Sequence, residues 1–557
     1  MKAKGLAYLF VFSASGVASA GGLFLPGAGA VSTARAGAGV ASADDAEAIV
    51  LNPAGIAKST GTVITIGIAA IDYYMSFTRA GTYDPIKEEA VSYAGMHYPT
   101  VTNDASPPLG IGGYQPVPVI GIVSDLGNRI PGLHVGLGIY APNAYPFRDM
   151  NKVNGKDYFT KTSTGYDFPA FGDPPPPSRY DIIEQEAAII LPSIDVAYSI
   201  TKDLDVGIRG SFGFANLKST VAVWGLQNVE EWNKLDGLFT LDAKDSFVAT
   251  GGLGASYRIG PNIELGANYS LPINIDAKGH AYATNGPAVV IGTEPTVVLP
   301  PPDANARCEA GGKEGDLKGC VNVELPMNAQ LGGRWKFLDP KGKFKGDIEV
   351  DLDWEHWGAK CDYTKDPTCQ NPSDYRVVVD GIATIASTPD QGIALKDSLV
   401  QHGLQDTYAV RVGGSYVIDT NPGQALIVRG GVGYDTAAAR DGWERADFDG
   451  AARKMLSVGA SYKLPKWKFD AGFAVILEGT RYNNRGCNPS GNVGDTGCGP
   501  NGQTQPVDGY NGDTPSRTGP DPINPAVNPD GQSESPVNQG EYKSHYLMFM
   551  LGAQTWF

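Results

Sequence analysis

Long apolar runs, positive charge and clustered histidines are all scarce in this sequence. After the first twenty residues, no stretch approaches about 18 unbroken apolar residues, which argues against a helical membrane protein. Charged residues are only 19% of the chain, and its net charge of −16 is opposite to what binding to nucleic-acid phosphates requires. The six histidines are scattered and no phosphate-cradling loop motif occurs, so we assign no catalytic residue, metal, cofactor or nucleotide.

Glycine and tyrosine are abundant by contrast. Glycine accounts for 72 of the 557 residues, where an average protein has about 7%. Tyrosine outnumbers phenylalanine, 26 to 19. Together with alternating apolar positions, this composition favours a β-barrel whose backbone bends and whose outer wall faces lipid.

Both ends of the chain suggest export to a bacterial outer membrane. Lys2 and Lys4 precede an apolar run at 6–17 and the small residues 18–20, the order of a secretory signal peptide over 1–20. Residues 547–557 form an apolar segment that ends on Phe557. A tilted membrane strand needs about 9–11 residues, and an aromatic ending is typical of the last barrel strand that the barrel-assembly machinery reads. We therefore expect that machinery as a partner.

Strict alternation of acidic and apolar residues at 347–356 is the pattern that most directly predicts a barrel strand. The odd positions are all acidic and the even positions are apolar or aromatic up to His356, so a strand here has one acidic face and one apolar face. We expect the acids to face a wet lumen and the apolar side chains to face lipid. Trp354 fits an aromatic girdle at the membrane interface. The acids assigned to the lumen are Asp351, Asp353 and Glu355, which share their face with Asp347 and Glu349.

Basic residues on neighbouring strands match these acids. Arg334 and Lys336 share the polar face of the preceding strand, and Arg411 and Arg429 lie on the polar faces of two later strands. Opposite charges on adjacent strands stabilise pairing by about 0.2–1 kcal/mol each. A lumen wall held by ion pairs is the simpler interpretation, and guidance of an anionic head group is the alternative.

Period-2 patterns and turn signals predict an all-β fold, a 14-stranded antiparallel transmembrane β-barrel. The predicted strands are 61–80, 116–126, 132–141, 180–200, 204–218, 238–259, 262–283, 323–338, 345–360, 404–418, 424–436, 453–464, 466–482 and 541–557. Short and long connections alternate, as periplasmic turns and outer loops do. Both chain ends then lie on the periplasmic side.

The six cysteines form three local pairs, each within one predicted outer loop. In an exported chain such pairs indicate disulfides that pin loops. A zinc site is the weaker alternative, because no pair has a Cys-x-x-Cys spacing or a nearby histidine pair. The pairs are Cys308 with Cys320, Cys361 with Cys369, and Cys487 with Cys498.

A small, glycine-rich segment at 21–58 precedes the first strand. It contains Arg35-Ala36-Gly37, Asp44-Asp45 and Asn52-Pro53-Ala54 in that order. With strand motifs such as Gly138-Ile139-Tyr140 and Gly433-Tyr434-Asp435, the chain resembles the FadL family of outer-membrane transporters of long-chain fatty acids and other hydrophobic compounds. The resemblance implies that 21–58 is a hatch that plugs a barrel formed by 59–557.

The family also implies how ligands pass. A ligand is captured at the outer loops, enters an apolar pocket and leaves sideways through a gap in the wall. Asn52, Pro53 and Ala54 match the hatch motif, and a proline suits the junction where plug becomes wall. Leu23 and Phe24 are candidates for the ligand pocket or for ordinary plug packing. Pro142 marks either the lateral gap or a plain loop entry.

A stripe in the third long loop is a candidate for ligand capture. Leu226, Val229, Trp232 and Leu235 recur at helical spacing, and an amphipathic helix must bury such a stripe. Packing against a neighbouring loop is the alternative. The 483–540 loop, rich in Pro, Gly, Asn and Asp, has the composition of a flexible segment and departs from the family.

The expected function is passive transport of hydrophobic molecules across the outer membrane, with fatty acids, alkanes and small aromatics all open as ligands. We expect a monomer that contacts outer-membrane lipid and lipopolysaccharide and binds no nucleic acid. Calcium in the acidic outer loops is an open alternative to solvated turns. A structural or adhesin barrel that displays its loops is the competing class. An enzyme is disfavoured because His356 points away from Asp353 and Glu355.

Overall fold

The computed structural model describes residues 22–557 apart from several loop segments. The segments outside the description are 81, 84–85, 87–89, 108–109, 142–143, 170–171, 224–230, 235, 287–289, 292–293, 300–307, 309–316, 359, 362–368, 386–391, 395–397, 441–442, 449, 484–536 and 539. The predicted signal peptide, Pro142, Leu226, Val229, Leu235, Cys487 and Cys498 lie outside the described residues.

Fourteen antiparallel strands form a closed barrel, as predicted. They are β1 Thr62–Arg79, β2 Gln115–Ser124, β3 Leu133–Tyr140, β4 Glu184–Ser199, β5 Leu204–Val223, β6 Gly237–Ile259, β7 Ile263–Ser270 with Ile273–Asn285, β8 Leu317–Leu325 with Asn328–Leu338, β9 Phe344–Glu355, β10 Thr407–Asp419, β11 Ala425–Asp435, β12 Arg453–Lys463, β13 Trp467–Asn483 and β14 Gly540–Trp556. Each strand pairs with the next, and β14 pairs with β1 along its length, from Val63 opposite Trp556 to Arg79 opposite Gly540.

The remaining elements are short. Two α-helices, α1 Ala30–Thr33 and α2 Ala48–Leu51, precede a 3-10 helix at Pro53–Lys58, and a second 3-10 turn covers Leu126–Asn128. None of the described helices is long and apolar enough to span a membrane. The loops carry short strands at Thr100–Thr102, Arg148–Asp149, Lys152–Val153, Lys156–Asp157, Thr160–Lys161, Tyr166–Asp167, Val290–Ile291, Glu294–Leu299, Tyr375–Asp380, Ile382–Ile385, Gly392–Ala394 and Ser398–Val400.

Prolines interrupt two strands that the sequence analysis treated as continuous. The predicted strand 262–283 breaks at Leu271 and Pro272. The predicted strand 323–338 breaks at Pro326 and Met327, between the segments Leu317–Leu325 and Asn328–Leu338. A proline has no N–H to donate to the neighbouring strand, so pairing stops there and resumes beyond it.

The outward faces of the strands are apolar. Side chains at alternate positions are exposed, for example Leu551 at 63%, Leu331 at 60% and Leu456 at 61%. Aromatic side chains such as Trp335, Trp467 and Trp556 lie beside the short turns, where the ring of Trp556 stacks on the Lys463 ammonium at 5.4 Å. An apolar band bounded by aromatic residues is the surface that a transmembrane barrel presents to lipid.

Two of the predicted disulfides are present, although Cys320 lies within β8 and not in a loop as predicted. Cys308 is bonded to Cys320, and Cys361 is bonded to Cys369. Both bonds lie on the side of the barrel with the long connections.

Residues 22–58 lie inside the barrel, and glycines of the wall make room for them. A Cβ added at Gly254 would sit 2.2 Å from the Asn52 Oδ1 atom, and one added at Gly207 would sit 2.4 Å from the Ala54 nitrogen. Any larger side chain at these two positions would therefore occupy the space of the Asn52-Pro53-Ala54 motif. We refer to 22–58 as the hatch.

These two glycines give a test of how closely hatch and wall must approach. Gly207→Ala and Gly254→Ala together should displace the hatch and raise single-channel conductance, because the added methyl groups overlap hatch backbone. Gly333→Ala is the matched control, since its Cβ would meet only the Leu265 side chain, at 3.9 Å. Conductance equal to wild type in a correctly folded double variant would contradict this packing.

Candidate functional site

The acidic face of β9 binds the hatch. Arg35 donates from Nη1 to the Asp347 Oδ1 atom at 2.8 Å and from Nη2 to the Glu349 Oε2 atom at 2.7 Å. All three side chains are almost completely buried. A guanidinium that bridges two carboxylates neutralises charge that burial would otherwise strongly disfavour.

The hatch backbone satisfies the rest of this acidic face. Gly39 and Val40 donate their N–H groups to Asp351 Oδ2 at 2.7 and 3.0 Å. Ala41 donates to Glu349 Oε1 at 2.6 Å. The expectation that these acids meet a wet lumen is therefore wrong at this level, because the hatch occupies the lumen and replaces water as their hydrogen-bond partner.

The predicted lumen cations lie around the same face. Arg334 contacts Asp347 at 2.6 Å and Glu264 on β7 at 2.7 Å. Lys336 contacts Glu264 on β7 at 2.8 Å, and not the acids of β9 beside which it was predicted to lie. Two further arginines extend the network around the lumen: Arg411 pairs with Asp353 and Asp435, and Arg429 lies beside Ser461 and Asp470.

The Asn52-Pro53-Ala54 motif links two segments of the hatch to each other and to β6 of the wall. The Asn52 amide donates to the carbonyl oxygens of Val40, at 2.8 Å, and Ala255, at 3.0 Å. Its Oδ1 atom accepts from the Ala54 N–H at 3.1 Å. Asn52 thus caps the 3-10 helix that begins at Pro53, and the same side chain binds the carbonyl groups of Val40 in the hatch and Ala255 in the wall.

Glu47 connects the two halves of the hatch. Its carboxylate accepts from the backbone N–H groups of Val31 and Ser32, both at 2.9 Å. Burial raises the pKa of Glu47 to about 7, and the neighbouring Asp45 adds to the shift. Burial likewise raises the pKa of Asp45, whose side chain faces Lys468 and accepts from Gln554.

The tip of the hatch lies among aromatic side chains. The Phe24 ring lies 5.9 Å from that of Trp357, which in turn lies 5.6 Å from Phe448. The Phe24 carbonyl accepts from Arg453 Nη1 at 2.7 Å. Glu355, the last acid of β9, accepts from the Trp357 Nε1 atom at 2.6 Å.

Two apolar walls face each other across the lumen at the level of this tip. Leu23 and Phe24 pack against a wall on β4 to β8, formed by Leu191, Ala215, Ala243, Val248, Ile273, Ile275, Ala277, Val321 and Leu325. Leu25 belongs to the opposite wall, which contains five methionines: Met75, Met150, Met455, Met548 and Met550. Methionine side chains adapt to irregular apolar shapes, so this half of the lumen suits hydrophobic contacts.

A cleft opens in the barrel wall beside the hatch, between β2 and β3. Pairing of these strands ends, among the described residues, where Ile120 lies opposite Ile139, although β2 continues to pair with β1 as far as Gln115. We call this opening the lateral cleft. It is lined by Ala28, Ala46, Glu47, Ile49, Val50, Pro118, Val119, Ile120, Gly138, Ile139 and Ala141.

The predicted capture helix is not helical where it is described. Residues 231–234 form an irregular turn in which Trp232 is half-buried. Glu231 accepts a hydrogen bond from the Arg79 Nη1 atom at 2.9 Å, and the Asn233 Oδ1 atom accepts one from the Tyr93 hydroxyl at 3.2 Å. These side-chain contacts hold the segment in a non-helical path.

Sequence reasoning did not single out Glu47, Trp357 or Arg453. Glu47 stands in an ordinary alanine-rich stretch, and Trp357 follows the end of β9. Arg453 is the first residue of β12, and its side chain enters the lumen by the same alternation that assigned Arg411 and Arg429. Strand parity was therefore the one signal that pointed to Arg453.

One family of outer-membrane transport proteins matches this chain over more than half of its length. The family model described as outer membrane protein transport protein (OMPP1/FadL/TodX) matches residues 187–490, more than half of the chain. The chain belongs to the FadL/TodX family. As a member of this family of transport proteins with a closed 14-stranded barrel, it resides in the bacterial outer membrane.

Solved structures agree on the fold of this FadL/TodX protein. A Pseudomonas aeruginosa FadL homologue aligns with a TM-score of 0.61 at 13% identity, covering 96% of this chain and 100% of that one. The Ralstonia pickettii toluene transporter TbuX gives 0.55 at 14% identity, with 96% and 99% covered. The Pseudomonas putida toluene transporter TodX gives 0.53 at 13% identity, with 96% and 100% covered. A search of curated protein sequences found no significant match.

Removal of the Arg35 guanidinium should release the hatch of this FadL/TodX protein. Arg35→Ala leaves Asp347 and Glu349 buried with fewer partners, a change that costs about 3–5 kcal/mol in buried pairs. We expect faster hydrogen–deuterium exchange across 34–42 in nanodiscs, with the strands unchanged. Arg258→Ala, which removes an ion pair with Asp205 and leaves the contacts of Arg35 intact, is the control. Unchanged exchange in Arg35→Ala would contradict the anchoring role.

Docking of the hatch should strengthen as pH falls. The ordinary pKa of a glutamate is 4.5 and that of buried Glu47 is about 7, so the docked state binds more protons across this window. Its stability is therefore greatest below about 4.5 and is lost as pH rises through about 7. Exchange protection of 28–51, corrected for intrinsic rates, should be higher at pH 5 than at pH 8. Glu47→Gln should weaken this pH dependence and leave the contribution of Asp45. An equal change in protection between pH 5 and pH 8 in the variant would contradict the role of Glu47.

Proposed function

We propose that this FadL/TodX protein is a passive channel that takes hydrophobic molecules from the cell exterior, holds them in the apolar lumen and releases them sideways into the membrane. The observation that carries the proposal is the juxtaposition of the apolar lumen, the hatch tip and the lateral cleft. Leu23, Phe24 and Leu25 lie between the two apolar walls, and Ala28, three residues further on, lines the cleft.

The hatch has a part anchored by ionic contacts and a part before Arg35 that is held largely by apolar packing, which supports movement at its tip. Residues 35–58 are held by Arg35, by four backbone N–H groups that bind β9 and by Asn52. The part before Arg35 is bound through Glu47 and by the bond from Arg453 to the Phe24 carbonyl, and Leu25 and Ala30 pack against the methionine-rich wall. Displacement of that part would join the lumen to the cleft without breaking the ionic network.

The lateral cleft supports release into the membrane and not into the periplasm. The Pro118 nitrogen has no hydrogen to offer a neighbouring strand, and the described residues of β3 do not pair with β2 beyond Ile120. The side chains of Ile120 and Ile139 at its rim are 43% and 42% exposed on the outer wall. An apolar molecule that leaves here passes from an apolar lumen to lipid without meeting water.

The ligand class is hydrophobic, and fatty acids and hydrocarbons are the candidates. The similar solved structures are described as a FadL homologue and as toluene transporters, and the lumen walls of this chain are apolar. We expect a monomer that is assembled by the barrel-assembly machinery and surrounded by outer-membrane lipid and lipopolysaccharide, with no cofactor.

Uptake by cells that lack their own transporter tests the proposal. Labelled oleate and labelled toluene should each be offered with and without this protein. Uptake of either that falls in the Asn52→Ala, Pro53→Ala variant would support transport through the hatch-bearing barrel. If a folded barrel took up neither of these compounds nor labelled acetophenone, a neutral ketone, transport would be excluded in favour of a barrel that displays its loops.

Filling the lateral cleft should slow uptake. Ala141 lines the cleft, so Ala141→Trp should reduce uptake several-fold by blocking the exit, while ligand binding to the purified protein persists. Ala471→Trp adds the same side chain to the exposed outer face of β13 and should leave uptake at the wild-type rate. Equal uptake by the two variants would contradict lateral release.

A further inference from the structure

Arg453 presents a buried hydrogen-bond donor that has no acceptor among the described residues. Its side chain is 1% exposed. Its Nε atom donates to Glu478 Oε1 at 3.0 Å and its Nη1 atom donates to the Phe24 carbonyl at 2.7 Å. The Nη2 atom is buried without a partner. A buried donor left without an acceptor is unfavourable, and such groups are rare in folded proteins.

The surroundings of this guanidinium are aromatic. The Tyr546 ring centroid lies 5.5 Å from the Arg453 Cζ atom, and Phe24, which accepts from Nη1, packs beside Trp357 and Phe448. The donor therefore sits where the hatch tip meets the lumen walls, the region in which the proposed function holds the ligand. An oxygen on that ligand is the acceptor that the site lacks.

The charge balance decides which kind of oxygen fits. Asp435 lies directly opposite Arg453 on the neighbouring strand, and Glu355 is within electrostatic reach of it. Asp435 is shared with Arg411, which also pairs with Asp353. With Glu478, four carboxylates face two guanidiniums. A carboxylate ligand would add another negative charge to a buried cluster that already has an excess, which low polarity makes unfavourable.

We propose that Arg453 selects neutral hydrophobic molecules that carry one acceptor oxygen, such as ketones, esters or alcohols, over both plain hydrocarbons and carboxylate anions. The inference rests on the proposed function, whose ligand class it narrows. A hydrocarbon leaves Nη2 unsatisfied, and a carboxylate satisfies it but brings an unbalanced charge. A neutral oxygen accepts the hydrogen bond without adding charge. Arg453 is thus a specificity-determining residue at the hatch tip.

Three ligands of nearly the same shape separate these cases. Acetophenone has a neutral acceptor oxygen, α-methylstyrene replaces that oxygen by a methylene group, and benzoate carries an anionic carboxylate. Equilibrium dialysis against the full-length protein in nanodiscs gives the affinity for each labelled compound. We expect acetophenone to bind about 10-fold or more tightly than the other two after correction for partition into the lipid, which is the size of one hydrogen bond to a charged donor.

Variants assign the preference to Arg453. The double change Arg453→Gln, Glu478→Gln removes the guanidinium and its partner charge together, and should bring acetophenone and α-methylstyrene to within about twofold of each other. Arg453→Lys keeps the charge but lacks the second Nη atom and should retain only part of the preference. Arg258→Gln, at an ion pair with Asp205 away from the lumen tip, should behave as wild type. Heat-modifiable mobility on gels checks that each barrel is folded.

The outcomes separate this inference from the function beneath it. No preference for acetophenone in the wild type, binding of none of the three compounds, or an unchanged preference in the folded double variant would each overturn the role of Arg453; in the first case a water would be the partner of Nη2. Those results leave transport standing if oleate or toluene is still taken up. Absence of all uptake would instead remove the proposed function.

Discussion

The acidic face of β9 is the constraint on which the interior of this barrel depends. Buried carboxylates are stable only when cations and N–H groups surround them, and water cannot do this once the lumen is filled. The hatch supplies one guanidinium, from Arg35, and four backbone N–H groups to Asp351 and Glu349. The wall supplies Arg334. Barrel and hatch therefore complete each other, since neither surface is satisfied alone.

This ionic attachment divides the lumen into two regions. Around Arg35 the contacts are charged, short and numerous, so the chain there is fixed. Phe24 packs against apolar and aromatic side chains and its carbonyl accepts a bond from Arg453, and the opposing wall is rich in methionine. Apolar contacts are not directional and can be exchanged for similar ones with a ligand. An apolar region of the lumen thus lies beside the ionic attachment of the hatch within one barrel.

The opening in the wall has an equally local origin. A closed barrel has no free strand edges, and opening one normally leaves N–H and C=O groups without partners in lipid. The part of β2 that lies beyond its pairing with β3 includes Pro118, which has no N–H. The hatch residues Glu47, Ile49 and Val50 line the cleft on the lumen side of this part. The wall can therefore stop pairing at Ile120 with fewer unsatisfied donors than an ordinary sequence would leave.

The sequence by itself determined the barrel. Period-2 alternation, as at 347–356, depends only on neighbouring residues in one strand, so strand number and the inward direction of Arg411 and Arg429 could be read from it. It did not determine what the inward residues meet. The β9 acids bind the hatch because residues more than 300 positions earlier fold back into the lumen, and Lys336 prefers Glu264 on β7 over its predicted partners on β9.

Glu47, Trp357 and Arg453 gain their roles only from such distant contacts, and the turn at 231–234 follows contacts with Arg79 and Tyr93 instead of its own helical spacing. Local pattern fixed which way each side chain points, and tertiary structure alone decided its partner.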